Sequence, residues 1–270
     1  MVDGICGAKT VEQIELFQQH VLKFQKPDGL VQPEKATHKN LAFTVSNPPD
    51  QVQQPGNFYG KSKIDIERFL FLYSQQFQNS YNKAALKNLV VRIFQDAEIT
   101  DLRWIAYMLA TVRRECGAQM TPVTEIGKGR GKDYGNPVTV VDKVTMKEKQ
   151  NVYYGRGFVQ ITWDVNYKKV GEKIGMADQL YLNPELALDF ETAYKIMSFG
   201  MRLGLFTGVG LPKFINGNRC DYVSARKIIN GSDHAQEIAN NALVFEKLLM
   251  ASRLKNIYKS ITGNEYANYV

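Results

Sequence analysis

The sequence predicts a mainly α domain with a minor β element, preceded by a small helical N-terminal segment. Three observations predict it. Apolar residues recur at three- and four-residue spacing in segment after segment between residues 66 and 249. Strand-like composition, rich in β-branched and aromatic residues, is confined to residues 137–162. Between the two parts, residues 46–62 ("SNPPDQVQQPGNFYGKS") are rich in Pro, Gly, Asn and Gln without apolar period and read as a linker. With 270 residues, 44% hydrophobic and 23% charged, the chain can bury a sizeable core, so disorder is not expected.

Residues 1–45 hold a short helical pattern, Val11, Ile14, Phe17, Gln18 and Val21, between two turn signals, Asp3-Gly4 and Asp28-Gly29. By themselves these residues describe a helical hairpin packed on the main domain. They also resemble the second half of a peptidoglycan-binding module. Asp3, Gly4, Gly7, Thr10, Ile14, Phe17 and Gln18 match, as do Pro27, Asp28, Gly29, Val31, Pro33, Thr37 and Leu41. The helices that open such a module are not in the sequence, so the expectation is a partial module.

The main domain is expected to span residues 63–270. Ile66, Phe69, Leu70, Tyr73 and Phe77 form one stripe, and Leu86, Leu89, Val90, Ile93 and Phe94 a second. Thr100 is the expected N-cap of a helix running through "DLRWIAYMLATVRREC", with Asp101 in its first turn and Gly117 closing it. Near the C-terminus Ile238, Ala242, Phe245 and Leu249 repeat the period after a Ser232-Asp233 cap signal. No internal repeat or low-complexity segment is evident.

A net charge of +7 makes a polyanion a candidate partner: nucleic acid, an anionic membrane surface or an acidic wall polymer. Lys and Arg are scattered and no zinc-finger, bZIP or RNP pattern is present, so nucleic acid is not expected. Cys6, Cys116 and Cys220 are odd in number and lack a CxxC pair, and histidines are not clustered. A disulfide framework and a metal site are therefore not expected. No run approaches the length of a transmembrane segment, and the start lacks a secretory signal pattern.

On the helix through residue 116, Leu102, Ile105, Leu109, Val112 and Cys116 form the core face. Trp104, Met108, Thr111 and Glu115 run up its flank. Glu115 thus falls in the last turn, beside apolar residues and near the negative end of the helix dipole. Both influences favour the protonated carboxyl that a general acid needs. The bland alternative is a surface ion pair with Arg113 or Arg114. Ten residues on, Glu125 opens a Gly-rich loop where water can reach it. One dry and one wet carboxylate make the pairing that glycoside hydrolysis uses. The run "GKGRGK" lacks the preceding strand and the Gly-Lys-Ser/Thr ending of a nucleotide loop. A mobile basic loop beside a cleft fits it better, with Lys128, Arg130 and Lys132 positioned to meet an anionic substrate.

Residues 153–167, "YYGRGFVQITWDVNY", supply what a sugar site uses, aromatic platforms together with amides and hydroxyls: Tyr154, Gln160, Thr162, Trp163, Asn166 and Tyr167. Gly155 and Gly157 allow backbone to approach backbone closely. A buried hairpin would explain Phe158, Val159 and Ile161 but not the polar set.

Together, "AYMLATVRRECG", "MTPVTEIGKGRGKDYG", "YYGRGFVQITWDVNYKKVG", "NPELA" and "ARKIING", in this order over residues 65–250, resemble glycoside hydrolase family 19, in its bacterial and phage lysozyme branch rather than that of the plant chitinases. The resemblance implies a lysozyme-like α+β catalytic domain needing no cofactor. It makes Glu115 the general acid and Glu125 the general base, with Thr162 holding the attacking water. Tyr154, Gln160 and Asn230 fall at sugar-contacting positions, and Arg156 at a position whose role is to brace the site. Arg114 stands where His is frequent, and Cys116 where Ser or Thr is.

The implied activity is inverting cleavage of β-1,4 bonds in peptidoglycan glycan strands, with chitin hydrolysis as the alternative and an inactive wall-binding protein as the third reading. A monomer is expected, made in the cytoplasm and acting in the periplasm or cell wall. It would reach the wall as a phage endolysin through holin lesions, or as an antibacterial effector delivered by a specialised secretion system. In the effector case an immunity protein is an expected partner.

Overall fold

The computed structural model describes residues 59–78 and 80–254. The helical pattern at Val11–Val21, the module resemblance and the linker as far as residue 58 lie outside the described residues. Tyr59–Ser62, read as the end of the linker, take part in the folded unit. Lys61 N–H donates to Thr100 O (2.8 Å), and Leu102 N–H donates to Tyr59 O (2.7 Å).

The described chain is mainly helical, as its periodicity requires. Helix α1 (Ile66–Gln76) is capped by Asp65 and α2 (Lys83–Gln95) by Asn82, each accepting a backbone N–H of the first turn. Their buried residues are drawn from the two predicted stripes: Phe69, Leu70 and Tyr73 on one, Leu86, Leu89, Val90 and Ile93 on the other. Phe77 packs on Tyr73 and on Phe245, which closes the aromatic part of the core.

Helix α3 (Leu102–Cys116) is the centre of the fold. From Ile105 to Val112 every side chain is buried, so it is enclosed on all sides rather than on a single face. Its N-cap is Asp101, one residue later than the sequence suggested. The Asp101 carboxylate accepts from Arg103 N–H (2.9 Å) and also binds the buried Arg103 guanidinium, a pairing that Thr100 could not make. Gly117 ends the helix at φ 66°, as expected.

The chain continues through α4 (Asp164–Lys173), the short α5 (Gln179–Leu182), α6 (Phe190–Leu203) and the short α7 (Leu211–Phe214) to α8 (Ala235–Ala251). Helix α8 packs along α3 more extensively than any other pair of described elements. It buries Ile238, Ala242, Phe245 and Leu249, the predicted stripe. Its N-cap is His234 in the left-handed conformation (φ 56°), with no side-chain cap, so the Ser232-Asp233 signal does not cap the helix.

Three small antiparallel pairs complete the described fold. Strands β2 (Val138–Val141) and β3 (Glu148–Asn151) form a hairpin within the predicted region. Strand β1 (Val123–Thr124) pairs with β4 (Arg156–Gly157), bringing the segment after α3 against the glycine-aromatic stretch. Strands β5 (Ile215–Asn216) and β6 (Arg219–Cys220) form a hairpin outside the predicted region. Its turn is Gly217-Asn218, and the preceding Asn216-Gly217 dipeptide is the local signal that announces it.

Candidate active site

Glu115 and Glu125 face one cleft. Both line a cavity of about 560 Å³ and an adjoining one of about 680 Å³, which also share Gln160, Arg226 and Asn230. These volumes suit a small-molecule or oligomer site.

Glu115 projects from the last turn of α3, with its side chain 18% exposed. It pairs with neither Arg113 nor Arg114. Its Oε1 accepts from Arg226 Nη1 at 2.8 Å, across 111 residues of sequence. Arg226 is itself buried, and its Nε donates to Asp233 O (2.9 Å). One guanidinium thus ties the helix end to the loop before α8. Arg114, standing where the resemblance leads to His, meets a histidine from that same loop: its Nη2 lies 2.7 Å from His234 Nε2.

Glu125 follows β1 and is held on both oxygens. Tyr134 OH donates to Oε1 (2.8 Å), Gly155 N–H donates to Oε2 (2.8 Å), and Glu125 N–H donates to Gly155 O (2.8 Å). Burial, together with the adjacent Glu125 carboxylate, pushes the Tyr134 hydroxyl up to about 12, so it remains a donor at neutral pH. The carboxylate plane is therefore fixed, while each oxygen keeps a lone pair for another partner.

The stretch between Tyr153 and Trp163 folds back on itself. Trp163 N–H donates to Tyr153 O (3.0 Å), and Arg156 and Ile161 exchange two backbone hydrogen bonds (3.0 and 3.3 Å). The turn between them needs positive φ at Gly157 (84°) and Gln160 (54°). A Cβ on Gly157 would lie 2.7 Å from Ala187 O, and one on Gly155 would lie 2.8 Å from Gln160 Oε1. Gly157 is required by close approach to backbone, as expected, whereas Gly155 packs against the end of the Gln160 side chain.

This turn brings Gln160, Thr162, Trp163 and Asn166 to the first cavity, with Asn230 facing them from the loop after Arg226. Gln160 Nε2 is spent on Val123 O (3.0 Å) and Gly157 O (3.1 Å), and Asn166 Nδ2 on Thr162 O (3.0 Å). Trp163 is 44% exposed, with Tyr134 edge-on at 5.8 Å, and this pair forms an aromatic wall.

Two predicted contact residues are placed elsewhere. Tyr167 is fully buried on α4, its hydroxyl donating to Tyr154 O (3.0 Å), so it serves the core and not the cleft. Tyr154 is also buried. Its hydroxyl donates to Glu185 Oε1 (3.1 Å), and it lines a separate cavity of about 340 Å³. Tyr167 rests on aromatic type alone and Tyr154 on aromatic type and the family resemblance, and neither says which way a ring turns in a short irregular segment. Arg156 is buried between these two tyrosines and braces the strand from behind. Cys116 is buried with its thiol toward Gly157 O and Phe158 O (3.5 and 3.6 Å). Burial pushes that thiol up, which keeps it unreactive.

The sequence reading missed Arg226 and Tyr134. Tyr134 sits nine residues from Glu125 in the same glycine-rich loop, a local signal that could have flagged it. Arg226 lies within the quoted "ARKIING" motif, but its partner is reached only through the tertiary fold and nothing near it in sequence points to Glu115. Among the described residues no cluster of His, Cys, Asp and Glu could hold a metal, and no helix is long and apolar enough to cross a membrane.

No family model matches the chain. It is similar to two Arabidopsis thaliana proteins, Endochitinase At2g43620 (33% identical) and Endochitinase At2g43610 (34% identical), each over 125 residues. The match spans 44% of this chain and 41% of the length of either relative. Among solved structures, similarity extends to chitinase C from Streptomyces griseus HUT6037, at 20% identity and a TM-score of 0.43, covering 72% of this chain and 78% of that one. It extends also to a bacterial family 19 chitinase, at 22% identity and a TM-score of 0.46, covering 69% and 94%.

Proposed function

We propose that this chain is a family 19 type glycoside hydrolase that cleaves β-1,4 bonds of an N-acetylated wall glycan, with peptidoglycan as its substrate. The observation that carries the reading is the placement of two carboxylates in one cleft in different settings. Glu115 is enclosed at a helix end beside Arg226, and Glu125 is fixed by Tyr134 and Gly155 in a loop.

Glu115 delivers a proton to the glycosidic oxygen. Glu125, its plane locked by two donors, takes a proton from the attacking water, and Thr162 steadies that water. The product is inverted at the anomeric carbon. Trp163 and Tyr134 supply an apolar wall for a sugar face, and Asn230 reaches its polar edge.

Peptidoglycan is favoured by the net charge of +7 and by the module-like residues 1–45. Chitin is the second reading, because the plant relatives are named endochitinases. The wall-directed role is that of an endolysin or a delivered antibacterial effector, the latter with an immunity protein to match. Digestion of purified peptidoglycan and colloidal chitin, read by mass spectrometry of the fragments, tests the assignment. Disaccharide-peptides are expected. Chitin fragments alone would transfer the assignment to the second reading, and no product from either would leave a wall-binding protein.

Gly155 offers a local test. A methyl there would meet Gln160 Oε1 at 2.8 Å and Glu125 Oε2 at 3.3 Å, displacing the base by a fraction of an ångström. Gly155→Ala is expected to lower kcat by about 10- to 100-fold. A variant within twofold of the parent would show that Glu125 does not need this alignment.

A further inference from the structure

The loop between Glu125 and Tyr134 is built in an unusual way. It is a chain of turns: Lys128 N–H donates to Glu125 O (3.1 Å), Arg130 N–H to Gly127 O (3.0 Å), Lys132 N–H to Gly129 O (2.9 Å) and Gly135 N–H to Lys132 O (2.9 Å). Four hydrogen-bonded turns thus run through the loop that composition marks as mobile. Gly129 is buried at its base, where a Cβ would lie 2.7 Å from Gly135 Cα and 3.2 Å from Tyr154 Cβ. Both ends of the loop are tied to the base itself, one through Glu125 and the other through Tyr134 OH.

From this fixed base three cations point into solvent. Lys128, Arg130 and Lys132 are exposed, and none has a carboxylate within ion-pair distance among the described residues. Some cations elsewhere are neutralised, Lys83 and Lys87 by Glu67 and Arg92 by Glu191, while others, such as Lys195 and Lys213, are exposed and outside ion-pair distance of the described carboxylates, like the three of the loop. Beside the loop, Ile126 is wholly exposed and lines the second cavity. The loop also carries Asp133 beside Lys132, and Lys128 acts through its charge on Glu185, so the rim is positive on balance. Beside the catalytic base it is a recognition surface for negative charge carried on a polymer lying in the cleft.

We infer that Lys128, Arg130 and Lys132 form a specificity element that binds carboxylates borne on side branches of the glycan, and so selects a carboxylate-decorated strand over a neutral one. The inference rests on the peptidoglycan reading and deepens it. Two sources share the chemistry, the carboxylates of a stem peptide and the lactyl carboxylate that an amidase uncovers when the peptide is removed.

The test compares the parent chain with the triple variant Lys128→Gln, Arg130→Gln, Lys132→Gln on intact peptidoglycan and on amidase-stripped glycan, at low and at high salt. Exposed cations contribute modestly one by one, so a loss of about tenfold in kcat/KM on the intact polymer is expected at low ionic strength. It should shrink toward nothing in about 0.5 M salt, where screening removes the rim's field but would not repair a misfolded loop. A loss confined to intact polymer assigns the stem carboxylates, a loss confined to stripped glycan assigns the lactyl group, and a loss on both shows that the rim takes either carboxylate. Equal kcat/KM at low salt, or a loss that high salt leaves unchanged, would overturn the inference. Co-sedimentation with insoluble peptidoglycan, with Glu115→Gln in both chains, reads the same contrast without bond cleavage. A rim effect there without hydrolysis by the parent would sink the hydrolase reading and keep the rim. Hydrolysis without a rim effect would do the reverse.

Discussion

Replacing Glu115 by Gln is expected to lower kcat by about 10²- to 10⁴-fold, the usual contribution of a general acid, with KM little changed. Gln preserves the shape of the side chain and an oxygen that can accept from Arg226 Nη1, so the helix end keeps its tie to the loop before α8. What it cannot do is release a proton to the leaving oxygen. The substitution also leaves the buried Arg226 without its counter-charge, which should cost about 1–3 kcal/mol of stability. The rate therefore has to be read well below the melting temperature, with circular dichroism confirming the folded state. A variant within tenfold of the parent under those conditions would remove Glu115 from the acid role. The base would then have to act against an unassisted leaving group, and the two-carboxylate mechanism would fail with it.

How far this site could be read in the sequence follows from how local each feature is. The stripes Leu86, Leu89, Val90, Ile93 and Ile238, Ala242, Phe245, Leu249 are buried as their period requires, because helical periodicity needs only neighbouring residues. Glu115 and Glu125 meet in one cleft because α3 ends where β1 begins to pair with β4, a return that glycine-aromatic composition hints at. Caps were less legible. Asp101 displaces Thr100 because it also serves Arg103, and His234 takes the start of α8 while also meeting Arg114. The direction of a ring was not legible at all. Trp163 faces the cleft while Tyr167, four residues on, is buried in the core, and only the turn enforced at Gly157 and Gln160 decides which is which.

The largest stability effect is expected at Arg156, for a reason that also separates bracing from substrate contact. The side chain is 2% exposed, and its donors are nearly all committed within the protein. Nε and Nη2 donate to Glu185 Oε1 (3.0 and 2.7 Å), and Nη1 to Val152 O, Tyr154 O and Tyr167 OH (3.0 to 3.2 Å). The guanidinium carbon lies 3.5 Å from the Tyr154 ring centroid. Arg156→Ala would orphan Val152 O, expose an unfilled volume between two tyrosines and release Glu185, at an expected cost of about 3–5 kcal/mol. For a domain of this size that is a fall of roughly 10 °C in Tm, measured by calorimetry. Arg156→Lys should recover little of it, because one ammonium cannot satisfy a planar set of acceptors spread around a guanidinium. Glu185→Gln should cost far less, since that side chain is 63% exposed and its charge is largely solvated. If Arg156→Ala instead melted within a degree or two of the parent and lost activity, the guanidinium would have to act on the substrate, and the bracing role would be wrong.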